Sequence, residues 1–308
     1  MTTQTSLTGS KADWLADRAL RGLIGTLMRL PYETRVRMMG SALRRTIGPL
    51  AGYRKRAEQN LALIYPDMGV IDRRRIAQEC CDNFGRTVIE NYSWREFGKT
   101  LKDIKPQGDG LDVLSDAIAA QRPILFVTGH FGNHEAPRQV LTAMGHSIGG
   151  LYRPMQNAYF NDHYAKTMTS WGGPVFAQGR RGTMGFMRHL RGGGMGTLLY
   201  DVSARGPILP FLGHPAKTSL SAAEIALKLD AVMIPYFGIR QADGLSFQVE
   251  IEAPIAHDTP ENMLLAMNAR LEAQIARNPS QWFWVHRRWK KGGKRLAQDA
   301  RTDNRAVR

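Results

Sequence analysis

The chain reads as an α/β protein, with a mostly parallel mixed sheet flanked by helices and an amphipathic helical extension at its N-terminal end. Three observations predict this. From residue 109 onward, helix-period segments alternate with short apolar runs. The run over 123–127 has no polar residue, as a strand buried on both faces requires. The first hundred residues read as helices with scattered basic residues and no hydrophobic span.

The elements follow in order. Residues 1–10 are polar and read as disordered, without the charged start and apolar run of a signal peptide. Over 11–30, Leu15, Ala19, Leu23 and Leu27 fall four apart, as do Ala16, Leu20, Ile24 and Met28. Asp17, Arg18, Arg21 and Arg29 take the other side. This spacing predicts an amphipathic helix stopped by Pro31. Its uncharged stretch, residues 22–28, is far too short to span a bilayer. Trp14 and the flanking arginines suit a helix lying in a membrane interface. The same face suits packing on the protein's own core, and the pattern does not choose between them.

Further helices fill 32–100, and a helix over 109–120 leads to a strand over 124–127. Then come a helix over 135–144, a strand over 148–152 and helices over 160–171 and 183–190. A strand over 196–200 follows, then a helix over 221–229 opened by a capping box of Ser221 and Glu224. Strands over 232–239 and 245–251 and a helix over 261–276 complete the pattern. The organisation is a helical, membrane-associating extension over 1–100, not a separate domain, an α/β core over 101–290, and a basic disordered tail over 291–308.

The formal net charge of +15 is concentrated at the ends. Residues 1–60 carry +7, residues 285–308 carry +7, and the 224 between carry +1. Basic ends suit an anionic lipid surface, where each cation contributes about 1 kcal/mol. They would also suit nucleic acid, but no recognised nucleic-acid module is present, so no nucleic-acid partner is expected. The two cysteines, Cys80 and Cys81, are adjacent and cannot form an ordinary framework disulfide, which points to a reducing compartment. There is no G-x-S-x-G elbow, no P-loop and no dinucleotide-binding glycine motif, and no cofactor is called for.

The most informative segment is Gly129-His130-Phe131-Gly132-Asn133-His134-Glu135 at the exit of the first strand. A histidine and a carboxylate five apart do not share a helix face. They suit a loop histidine followed by a glutamate on the next helix's first turn, where the carboxylate can hold one ring nitrogen. That is a general base, His130, with an orienter, Glu135. The plainer reading makes His130 a strand cap and Glu135 a first-turn acid. The H-x3-H spacing of His130 and His134 also permits zinc, but spacing places no third strong ligand, and no metal is expected.

This segment resembles the H-x4-E/D block of the late lipid A acyltransferases, the lauroyl/myristoyl transferase family. Other blocks follow in the same order. Asn60-Leu61 with Tyr65-Pro66 resembles N-L-x-x-x-(F/Y)-P, and Tyr152-Arg153-Pro154 with Asn157 resembles Y-R-P-x-x-N. Leu199-Tyr200-Asp201 resembles a strand ending in aspartate, and Phe211 through Ala216 resembles F-F-G-x-P-A. Trp282 with His286-Arg287-Arg288-Trp289 resembles the closing W-x-H-x-R-W block. Together they span residues 13–290. The chain departs from the family pattern at His134, often Trp there, across 166–172, where Lys166 stands for an arginine, and across 202–205.

The resemblance implies O-acyl transfer from an acyl thioester, on acyl carrier protein or coenzyme A, to a hydroxyl of an anionic lipid acceptor, a lipid A precursor. It implies the cytoplasmic face of a bacterial inner membrane, with the protein monotopic or peripheral there. Such transfer needs a base, oxyanion donors and a positioned acceptor. His130 and Glu135 take the first role. Gly129 and Gly132 leave room for backbone amides at the oxyanion, and Asn133 adds a side-chain donor. Arg153, at a strand's C-terminal end, suits bidentate phosphate recognition, with Asn157 beside it and Arg180 and Arg181 in the same role. Asp201 ends another strand and suits orienting an arginine or a sugar hydroxyl, or an ion pair with Arg153 or Arg240. The 282–291 stretch mixes aromatics with cations, which suits a membrane interface, the stacking of nucleobases, or a helix packing its tryptophans on the core; the resemblance places it at the close of the active domain and implies structural and interfacial roles together.

Overall fold

The computed structural model describes residues 9–155, 157–170 and 173–289. Part of the polar start, the last residue of the helix expected over 160–171, and the basic tail over 291–308 lie outside the described residues.

Helices come first: α1 Lys11–Leu27, α2 Tyr32–Ala42, α3 Gly48–Leu50, α4 Tyr53–Ile64, α5 Val70–Tyr92, α6 Trp94–Leu101 and α7 Leu111–Ala119. A π turn, Leu43–Ile47, joins α2 to α3. The alternating part then runs β1 Ile124–Thr128, α8 Ala136–Ala143, β2 Ile148–Tyr152, α9 Ala158–Thr169, β3 Val175–Ala177, α10 Arg180–Arg191 and β4 Met195–Leu199. It continues with β5 Ile208–Phe211, β6 His214–Lys217, α11 Ser221–Leu229, β7 Val232–Arg240, β8 Phe247–Ile251 and α12 Pro260–Arg277.

The main sheet has the order β3-β2-β4-β1-β7-β8, and only β8 runs antiparallel to its neighbour. The apolar run in β1 follows from this. Leu125 and Val127 face one core cluster, shared with Leu264, Leu271 and Trp282. Ile124 and Phe126 face another, shared with Phe97, Leu114 and Val140. Both faces of the strand are covered, so neither tolerates a polar residue.

Strands β5 and β6 pair as a separate antiparallel hairpin. Neither they nor β3 announces itself in the sequence, because they are short and Pro210 and Pro215 interrupt the first two. The expected capping box at α11 is also absent. Leu220 is the N-cap residue, and the Ser221 amide donates to Ser219 Oγ at 3.3 Å.

Helix α1 divides its surface. Ile24 and Leu27 are buried against Val36, Met39 and Ile89, while Trp14 and Leu15 stay 45% and 61% exposed. Among the described residues no helix is long and apolar enough to cross a membrane.

Candidate active site

The site forms where two parallel neighbours end. In the β1–β4 register Thr128 lies opposite Leu199, and Tyr200 N donates to Thr128 O at 3.2 Å. Two residues further along each strand stand His130 and Asp201. Sheet topology thus brings together groups 71 positions apart, at the carboxyl end where open α/β sheets place their ligands.

The contact is direct. His130 Nδ1 lies 2.7 Å from Asp201 Oδ1. The His130 backbone N–H donates to Asp201 Oδ2 at 2.8 Å, and Trp282 Nε1 donates to the same oxygen at 2.9 Å. Asp201 is fully buried. Burial alone would raise its pKa, but the pull of His130 and its hydrogen bonds outweighs this and holds the carboxyl well below the usual range. An ionised Asp201 fixes the proton on Nδ1 and leaves the Nε2 lone pair free. The His130 side chain is 31% exposed and lines a cavity of about 350 Å³.

This corrects the expected orienter. Glu135 is not the partner of His130. It lies 3.3 Å from Arg138 Nη1 and 3.8 Å from His134 Nε2. The reason is the backbone. Glu135 is the N-cap residue of α8, so Arg138 falls one turn on, on the same side. Burial raises the Glu135 pKa, opposed by Arg138. Arg138 is itself buried and also donates to Ile148 O at 2.9 Å and Gly173 O at 3.3 Å. Glu135 and Arg138 both line the cavity, as a charged pair among mostly apolar walls that include Leu151, Met168 and Phe283.

Two further histidines flank His130. The rings of His286 and His130 meet edge to face with centroids 4.4 Å apart, and His134 is 5.5 Å away. Burial, with His130 nearby, drives both His134 and His286 down to about 3, so both are neutral at pH 7. Donor atoms of His130, Asp201 and His286 all lie within 4.8 Å of one another, a set that could hold a metal. His134, the partner in the H-x3-H reading, is not in that set. Two ligands of a tetrahedral zinc at about 2.0 Å stand roughly 3.3 Å apart. The 2.7 Å His130–Asp201 contact fits a hydrogen bond better.

The loop itself is clamped. Gly132 N donates to Gln281 O at 3.0 Å, Asn133 N to Gly238 O at 3.1 Å and Phe283 N to His130 O at 2.9 Å. Gly132 has φ +53°, and a Cβ there would stand 1.9 Å from Gly238 O. Its glycine therefore serves close approach of the backbone, not an oxyanion: the amides of Gly132 and Asn133 are already committed. The Asn133 side chain is committed too. Nδ2 donates to Glu90 Oε2 at 2.9 Å, and Oδ1 accepts from Glu135 N at 3.0 Å.

The remaining expected residues scatter. Arg153 is exposed, lines the cavity and has no ion-pair partner among the described residues. Neither it nor Arg240 pairs with Asp201, since Arg240 pairs with buried Glu90. Asn157 caps α9, accepting from Phe160 N at 3.1 Å, and Nδ2 donates to Asp13 O at 2.8 Å, which ties α1 down. Arg180 opens α10, is exposed and does not line the cavity.

Over its described residues, 282–289, the closing block packs largely into the core, with Arg287 exposed. Trp282 and Trp284 are fully buried, and Trp289 stacks on Phe211 at 5.9 Å. Asn60 Nδ2 donates to Trp284 O at 2.7 Å and His286 O at 2.8 Å, so a residue from the helical extension holds the block that presses on His130. The roles of Trp282, His286 and Arg138 were not read from the sequence. Arg138 had a signal, its i+3 spacing from Glu135; the other two depend on chain crossings that no local pattern records.

Comparison with known proteins agrees with the motif reading. The family model for the bacterial lipid A biosynthesis acyltransferase matches residues 8–291. A lipid A biosynthesis acyltransferase of Haemophilus influenzae is 25% identical over 241 residues, 75% of this chain and 74% of that protein. The lipid A biosynthesis lauroyltransferase of Escherichia coli K12 is 23% identical over 286 residues, covering 87% and 89%. The palmitoleoyltransferase of that organism is 24% identical over 281 residues, with the same coverage.

Proposed function

The chain belongs to the bacterial lipid A biosynthesis acyltransferase family, and on that footing we propose that it moves a fatty acyl chain from an acyl thioester to a hydroxyl of a lipid A precursor, with His130 as general base. The observation that carries the mechanism is the His130–Asp201 pair at the head of the sheet, opening on a largely apolar cavity.

Nε2 of His130 takes the acceptor's hydroxyl proton as the oxygen attacks the thioester carbonyl. The charge on buried Asp201 stabilises the imidazolium that forms. The carbon–sulfur bond then breaks, and the departing sulfur receives that proton. No protein nucleophile is needed. The apolar walls suit the acyl chain, and Arg153, exposed on the lining, suits an acceptor phosphate. Glu135 and Arg138 provide a charged feature in the same chamber. The donor is acyl carrier protein, an acidic partner suited to a basic chain. The protein works at the cytoplasmic face of the inner membrane, held peripherally by exposed Trp14 and Leu15 and the basic start of the chain.

The test is mass spectrometry of lipid A from cells lacking the protein. Loss of one acyl chain, restored by the wild-type protein and not by His130→Ala, is the expected result. Unchanged lipid A with a missing acyl chain on another phospholipid or glycolipid would move the acceptor and leave the chemistry.

A further inference from the structure

We propose that the buried ion pair of Glu90 and Arg240, with Thr87, positions the His130 loop through bonds separate from those of Asp201. The inference rests on the general-base reading above.

Glu90 is fully buried and Arg240 is 5% exposed. Arg240 Nη2 donates to Glu90 Oε2 at 2.8 Å and to Thr87 Oγ1 at 3.3 Å, while Nη1 donates to Glu90 Oε1 and to Gly244 O at 3.0 Å. Two further bonds leave this pair toward the loop. Glu90 Oε2 accepts from Asn133 Nδ2 at 2.9 Å, and Thr87 Oγ1 donates to Gly132 O at 3.1 Å. Gly132 and Asn133 are the second and third residues after His130. The Arg240 main chain joins in, since its N–H donates to Gln281 Oε1 at 2.8 Å and Gln281 O accepts from Gly132 N.

A buried ion pair is a poor device for stability alone, because well-packed apolar residues in its place are often as stable or more so. What apolar residues cannot do is hold a backbone carbonyl and an asparagine amide at fixed places. The loop needs such holding: Gly132 takes a left-handed φ, and the loop passes Gly238 too closely for any Cβ. Asp201 fixes the ring of His130, and the Glu90–Arg240 pair fixes the chain behind it. Glu90 and Arg240 do not line the cavity and act as positioning residues; Thr87 lines it and also holds the loop.

The test uses the purified full-length protein, an acylated carrier protein and a lipid A precursor. Thr87→Val keeps the ion pair and nearly the same shape, yet removes both Thr87 bonds. Glu90→Met combined with Arg240→Met removes the pair without leaving an unpaired buried charge. We expect kcat to fall on the order of tenfold to a hundredfold in the double variant and less in Thr87→Val, with KM for the thioester unchanged. A double variant whose thermal midpoint matches wild type should still show the loss, which a merely structural pair would not give. Wild-type kcat in folded Thr87→Val overturns the proposal, even if the double variant does not fold. Run beside them, His130→Ala separates the two ideas: if it is active, the base reading fails; if it is inert while Thr87→Val is fully active, only the positioning inference fails.

Discussion

Replacing Asp201 by asparagine changes one atom and should silence the base through its tautomer. Asp201 Oδ2 accepts two bonds, from His130 N at 2.8 Å and Trp282 Nε1 at 2.9 Å, and Oδ1 faces His130 Nδ1 at 2.7 Å. An asparagine has one acceptor oxygen and one donor amide. With its oxygen at the Oδ2 place, both donors stay satisfied and the amide N–H points at Nδ1. The ring must then accept at Nδ1 and carry its proton on Nε2, where it cannot take one from a hydroxyl. The flipped amide keeps the right tautomer but sets N–H against two buried donors, at about 1–3 kcal/mol each. The first arrangement wins, so turnover should fall by about 10²–10⁴-fold. KM for the thioester should hardly move, since the cavity walls are untouched. Steady-state kinetics on folded Asp201→Asn, checked by thermal unfolding, is the assay. Near-wild-type kcat would show that Asp201 merely anchors Trp282 and the loop.

Other perturbations follow from the same geometry. Glu135→Gln should lower activity less than Asp201→Asn, because Glu135 faces Arg138 and not the base; an equal or larger loss, measured side by side, would return the orienting role to Glu135. Arg153→Ala should raise KM for a phosphorylated acceptor, with Arg153→Lys rescuing only part; an unchanged acceptor dependence removes Arg153 from recognition. Acid should destabilise the fold. His134 and His286 titrate at about 3 when folded against roughly 6.5 unfolded, so the unfolded chain binds more protons below 6.5 and stability falls with pH, by roughly 2 kcal/mol for each histidine at pH 5. Chemical denaturation that gives equal stability at pH 7 and 5 would contradict their buried, neutral state. Trp14→Ala with Leu15→Ala should weaken sedimentation with anionic vesicles while leaving the fold intact, since both side chains are exposed; deleting all of α1 would instead remove buried Ile24 and Leu27.

Much of the fold was legible because its signals are local. The β1 run is apolar because both faces are covered, and α1 carries a long periodic face that ends at Leu27, shortly before Pro31. His130 was legible as a residue at a strand exit, and Asp201 likewise. Their partnership was not, because it depends on β1 and β4 being neighbours, and the five elements between them in the chain hide that adjacency. Glu135 was nearer in sequence and so drew the orienting role, yet its place at the start of α8 turned it to Arg138. Tryptophan beside arginine in the closing block suggested structural and interfacial roles together, and the buried Trp282 and Trp284 bear out the structural part. Arg288 is buried over the Phe211 ring at 5.2 Å and donates to Thr218 Oγ1 at 2.7 Å and to Lys217 O.

The central claim is that His130, polarised by Asp201, abstracts the acceptor's proton. It is tested most directly by following transfer of a radiolabelled acyl chain from carrier protein to a lipid A precursor, comparing wild type with folded His130→Ala across pH. Wild type should label the acceptor, and His130→Ala should transfer almost nothing at any pH while still binding the acylated carrier. Transfer by His130→Ala at the wild-type rate would contradict the account, whatever the fate of the other variants.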